Sequence, residues 1–138
     1  LARHLAGSNI DSVHAEAATE KGGNGDNVAA HIRFKDGSLA SIVYTALGDT
    51  ALPKEQVEMF AGARAASLDD FRKLSLAANG AVKTSTATQD KGHKQQVAAF
   101  VNAISDGSPA IDEAELIETA AATIAVMESL RTGERIDL

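Results

Sequence analysis

Polar and apolar residues alternate most regularly in the stretch NVAAHIRFKDGSLASIVYTA, residues 27–46. Alternation sends successive side chains to opposite faces of a strand, and Asp36-Gly37 between two alternating runs predicts a hairpin with a tight two-residue turn. Pairing outward from that turn sets Phe34 opposite Leu39, Ile32 opposite Ser41, Ala30 opposite Val43 and Val28 opposite Thr45, a strongly apolar face. The other face carries Arg33 with Ala40, His31 with Ile42 and Ala29 with Tyr44, and is only half polar. A sheet with one wet side alternates more cleanly, so this second face is expected to meet a partner subunit or a second domain.

Elsewhere the pattern changes period. LARHLAG, residues 1–7, reads as the last turns of a helix, with Leu1 and Leu5 on one face and Gly7 as terminator. NIDSVHAEA reads as a strand with Val13, Ala15 and Ala17 on one side and His14 and Glu16 on the other. KGGNGD, residues 21–26, is a loop. EQVEMFAG, RAASLDD and FRKLSLAANGAVKTSTA read as further short strands, with Asn79-Gly80 as a second hairpin turn. Two helices follow. One runs over about 91–106 with Val97, Phe100, Val101 and Ile104 on one face. The other starts at Asp112 as N-cap with Glu115 in a capping-box position, carries Leu116, Ala120, Ile124 and Met127 inward, and ends at Arg131 to Gly133. Strands first and helices last imply an α+β fold: a mostly antiparallel sheet with helices on one face and the other face available for oligomerisation.

Composition narrows the function. The 138 residues suit a single domain, and with 4% aromatics and no Trp the core must be built from Ala, Val, Ile and Leu. A net charge of −6 with no basic stripe argues against nucleic-acid binding. The absence of cysteine removes disulfides and thiolate metal sites. No apolar run reaches membrane-spanning length and no signal-peptide pattern opens the chain, so a cytoplasmic protein is expected. The chain begins Leu1-Ala2-Arg3 without Met, which is expected of a piece of a longer protein.

Candidate chemistry is sparse. GGNG at 22–25 lacks G-x-G-x-x-G spacing and does not lead into a helix, so it offers no phosphate cradle. His4, His14, His31 and His93 show no close metal-ligand spacing; His14 and His31 sit on strands where they can approach each other, but surface or interface histidines are the simpler reading. No G-x-S-x-G elbow occurs. Asp69-Asp70 would point to opposite faces of a strand, and a turn flanking Phe71 explains them better. In QDKGHKQQ, Asp90 reads as a helix N-cap with Lys91 and His93 solvated, or alternatively the helix start and its two cations hold a substrate oxygen.

Taken in order, DNVAAHIRFKDGSLASIVYTALGD, PKEQVEMFAG, LDDF, QDKGH and AATIAVMESLRTG resemble the C-terminal domain of the glucose–fructose oxidoreductase / inositol dehydrogenase / rhizopine-catabolism (Gfo/Idh/MocA) family, closest to its two-part members. The resemblance spans essentially the whole chain. It implies an N-terminal Rossmann domain, carrying the NAD or NADP site and the catalytic residues, that lies outside this chain. On that reading this part, with no catalytic, cofactor-binding or metal-binding residue of its own, supplies an oligomerisation sheet and one wall of the pocket for a small-molecule sugar or polyol. His4 falls where the family usually has a packing aromatic and is not assigned to catalysis. Tyr44, Gly48, Lys91 and His93 are the expected substrate-binding residues. The rival expectation is a free-standing α+β dimerisation module with no enzymatic parent.

Overall fold

A computed structural model describes residues 1–18 and 26–138; the GGNG stretch lies outside the described residues. The chain divides into two compact units: residues 1–47 with 109–138, and residues 48–108.

The first unit contains helix α1 (Ala2–Ala6), strands β1 (Ile10–Ala17), β2 (Val28–Phe34) and β3 (Leu39–Tyr44), helix α3 (Glu113–Thr132) and strand β8 (Ile136–Asp137). Its sheet has the order β3-β2-β1-β8, with each neighbouring pair antiparallel. Ile10, Val13, Ile32 and Phe34 on one sheet face meet Ala122 and Ala125 of α3, and Ala2 and Ala6 of α1 close the edge of this core. The expected α+β architecture with helices on one face is therefore present in this unit. Small side chains at the contact let α3 lie close along β1.

Two helix faces differ from expectation. Leu116, Ala120, Ile124 and Met127 of α3 are exposed, and it is Glu118, Ala122, Ala125 and Ser129 that turn toward β1. The packed face is chosen by what the strand requires: Glu118 accepts the Ile10 N–H at 2.5 Å and Ser129 accepts the Ala15 N–H at 2.9 Å, bonds that no leucine can make. In α1, likewise, Leu1 and Leu5 are exposed while Ala2 and Ala6 pack inward. Asp112 caps α3 as expected, accepting from Ala114 N at 2.9 Å. Glu115 lies 3.5 Å from Arg3, whose guanidinium offers it a full opposite charge.

The hairpin turn is correctly placed but its register is one residue off the expected one. Arg33 faces Leu39, Ile32 faces Ala40, His31 faces Ser41, Ala30 faces Ile42 and Val28 faces Tyr44. The loop has three residues: Phe34 N bonds Ser38 O at 3.0 Å and Gly37 N bonds Phe34 O at 2.9 Å. Gly37 takes φ 90°, a left-handed conformation that suits a residue without Cβ. Asp36 fixes this form by accepting from both the backbone N–H and the hydroxyl of Ser38, at 2.9 and 2.7 Å. A one-residue slip exchanges the faces of a whole strand. Ile42 and Tyr44 therefore share the face of Ala30 and Val28, and the outer face carries His31, Arg33, Leu39, Ser41 and Val43 instead.

The second unit is an antiparallel meander of β4 (Gln56–Ala61), β5 (Arg64–Asp69), β6 (Lys73–Ala78) and β7 (Ala81–Thr86), followed by helix α2 (His93–Asp106). The described strands thus form two four-stranded antiparallel sheets, as the α+β expectation requires. Asn79-Gly80 makes the expected turn, both residues with positive φ, and Gly62-Ala63 makes a matching one between β4 and β5. Val97, Phe100, Val101 and Ile104 of α2 are all exposed.

Candidate functional site

Between β5 and β6 the chain reverses through Asp70 and Phe71, with φ 49° and 54°. Two consecutive non-glycine residues in the left-handed region cost about 1–2 kcal/mol each, so the surroundings must hold them. Asp70 N bonds Glu55 O at 2.8 Å, Arg72 N bonds Asp69 O at 2.9 Å, and Asp90 N bonds Phe71 O at 3.4 Å. The Gln89 side chain donates to Asp70 Oδ1 at 2.8 Å and to Asp70 O at 3.2 Å. The turn expected around Phe71 is thus present, clasped by the segment before β4 on one side and the segment after β7 on the other.

That clasp shapes a polar cleft within the second unit, lined by Lys54, Glu55, Asp70, Arg72, Gln89 and Lys91. Lys91 Nζ lies 2.6 Å from Glu55 Oε1. The hydrogen bond and charge of Lys91 outweigh partial burial and hold the Glu55 carboxyl below its ordinary range. Glu55 Oε2 is shielded from solvent without a hydrogen-bond partner among the described residues. Arg72 Nε lies 3.3 Å from Asp70 Oδ2. The cleft thus offers ammonium, guanidinium and amide donors beside carboxylate acceptors, a set suited to hydroxyl-bearing ligands.

Of the four expected binding residues, Lys91 lines this cleft. His93 is the first residue of α2 and is exposed. Gly48 begins the second unit, and a Cβ there would meet nothing within 4 Å. Tyr44 ends β3 in the first unit, with an exposed side chain. Asp90 does not cap α2. The N-cap is Gly92, and Asp90 closes a turn two residues earlier by accepting from Gly92 N at 2.8 Å and Gln95 Nε2 at 3.1 Å. Glu55, Arg72 and Gln89 were not singled out by sequence. They lie 36, 19 and 2 positions before Lys91, and only the meander brings them together. The Asp69-Asp70 pair was the one available signal.

Among the described residues no three of His, Cys, Asp and Glu converge on a metal position. No helix among them is long and apolar enough to cross a membrane.

No family model and no curated protein matches the chain. Solved structures do. An aldose-aldose oxidoreductase from Caulobacter crescentus, complexed with glycerol, superposes with TM-score 0.79 at 16% identity, over 99% of this chain and 44% of its own. A UDP-N-acetylglucosamine 3-dehydrogenase from Acidithiobacillus ferrooxidans gives 0.76 at 18%, over 93% and 42%. A levoglucosan dehydrogenase in complex with NADH and levoglucosan gives 0.75 at 18%, over 99% and 47%. The chain has the fold of one part of the Gfo/Idh/MocA-type oxidoreductases. It spans less than half the length of these structures.

Proposed function

We propose that this chain is the C-terminal, substrate-binding and oligomerisation part of an NAD(P)-dependent oxidoreductase that acts on a sugar, polyol or related hydroxy compound. The observation that carries the reading is the likeness over 99% of this chain to 44% of an aldose-aldose oxidoreductase. The described residues do not themselves fit a dinucleotide: every paired strand runs antiparallel, and no parallel strand leads through a glycine-rich turn into a helix. The cofactor is accordingly assigned to a preceding Rossmann domain, where nicotinamide would supply hydride transfer.

In this reading the chain's own residues bind and orient. Glu55 holds Lys91 by one of its ammonium hydrogens and leaves the others for substrate hydroxyls. His93 and Gly48 in the second unit, and Tyr44 in the first, are the remaining proposed substrate contacts. Self-association is assigned to β3, an edge strand of its sheet, where Leu39 and Val43 are 71% and 74% exposed.

The test is an assay of the complete protein with NAD and NADP against a panel of sugars and polyols. Turnover with at least one is expected, with Lys91→Ala raising KM about tenfold or more while the isolated chain binds no nicotinamide. A start codon directly preceding Leu1, or micromolar nicotinamide binding by the chain alone, would sink the assignment.

A further inference from the structure

The one-residue shift in the hairpin has a chemical result on the outer face of the first unit's sheet. His14 of β1 and His31 of β2 are direct cross-strand partners, and His31 is in turn the partner of Ser41 on β3. Three polar side chains thus form a row across three strands. Opposed residues in an antiparallel ladder share a face with Cα atoms about 4.5–5.5 Å apart. His31 is exposed and His14 half-buried. His31 Nδ1 lies 2.9 Å from Ser41 Oγ. When that Nδ1–H donates to the hydroxyl, Nε2 keeps its lone pair and the ring is held in place, the arrangement that metal-binding imidazoles commonly adopt through their second nitrogen.

We propose that His14 and His31 form a two-imidazole chelate for a divalent transition-metal ion of the copper, nickel or zinc type. Two imidazole nitrogens about 2.0–2.1 Å from one ion are about 3.3 Å apart in tetrahedral geometry, a separation that side-chain rotation about neighbouring Cβ atoms can reach. Neutral imidazole favours these ions over calcium or magnesium, which take oxygen ligands. With no third protein ligand converging among the described residues, water fills the other positions and the ion exchanges with solvent. The site is fixed by strand register and is separate from the cleft at Lys91. It rests on one chain and does not depend on the oxidoreductase reading.

The experiment is a calorimetric titration of the full chain, purified without a histidine tag, with Cu²⁺, Ni²⁺ and Zn²⁺ as simple salts. One saturable ion per chain is expected. His14→Asn and His31→Asn should each weaken binding about tenfold or more, whereas His4→Asn and His93→Asn should not. Circular dichroism establishes that each variant keeps its fold. Independently of any substitution, substoichiometric Cu²⁺ should broaden the ring-proton resonances of His14 and His31 in the unaltered chain before those of His4 and His93. Absence of saturable binding, affinity unchanged in His14→Asn or His31→Asn, or broadening that reaches His4 or His93 first would each overturn the site.

Discussion

The hydroxyl of Ser129 bridges two backbone groups, accepting the Ala15 N–H at 2.9 Å and donating to Glu134 O at 2.6 Å. β8 pairs with β1 only at Ser12–Asp137 and Val13–Ile136, with Leu138 N also bonding Asp11 O. Extending that register would set Ala15 against Glu134, so a helix side chain occupies the position of the next rung. Ser129 is fully buried. Removing its hydroxyl strands an N–H and a C=O that water cannot readily reach. Ser129→Ala should therefore lower unfolding free energy by about 1–3 kcal/mol, read by urea denaturation, with the β8 amides exchanging first. A loss below about 0.5 kcal/mol would mean the two groups find other partners.

Glu118 joins α3 to both α1 and β1, through Arg3 Nε at 2.7 Å and the Ile10 N–H. Burial pushes its carboxyl up, but the bonds from Arg3 and Ile10, with the charges of Arg3 and Lys35, hold it below the ordinary range. A carboxyl lower in the folded than in the unfolded chain contributes stability that is complete above the unfolded value, about 4.3, and is lost as pH falls through the folded value. Melting temperature should therefore drop on acidification from about pH 5 to pH 3. Glu118→Gln should start lower and fall less steeply over that range. An equally steep fall would assign the acid sensitivity to other carboxylates.

Ala63 sits at φ 58° in the turn joining β4 to β5. A Cβ in that region costs about 1–2 kcal/mol, and glycine avoids it at some cost in unfolded-state entropy. Ala63→Gly should accordingly stabilise the second unit by up to about 1 kcal/mol, measured as a rise in denaturation midpoint. A lower midpoint would show that the alanine methyl contributes contacts exceeding the strain.

Val43 tests the assignment of self-association to β3. Light scattering of the unaltered chain should give a mass above 14.3 kDa at high concentration, and Val43→Asp should return it to monomer with its circular dichroism unchanged. A mass that ignores the substitution would move the interface elsewhere.

Much of the fold was legible because the local signals were redundant. Alternation and Asp36-Gly37 placed the first hairpin, Asn79-Gly80 placed another, and Asp112 and Gly133 bounded α3. The misreadings share one cause, which is that a side chain outside the periodic pattern decided the matter. Asp36 reaching Ser38 made a three-residue loop and so moved Ile42 and Tyr44 to the other face. Ser129 and Glu118, polar residues on a helix rich in leucine and isoleucine, selected the packed face by serving strand N–H groups. Around the cleft the sequence marked Lys91 and, through Asp69-Asp70, the turn at Phe71, whereas Glu55 and Arg72 are distant from Lys91 in sequence and reach it only through the meander.

The division of the chain also dictates an order of events during synthesis. The first unit draws on residues 1–47 and 109–138, and the face of β1 and β2 that carries Val13 and Ile32 packs on Ala122 and Ala125 of α3. On the ribosome β1 and β2 emerge before the whole second unit, and their apolar face stays bare until α3 has followed it. The meander from Gly48 to Ser108, built from neighbouring hairpins, has every strand partner in hand much earlier. The first unit is therefore open to misassociation for as long as the meander and α3 take to be made, and a chain cut before Glu113 would leave its core uncovered.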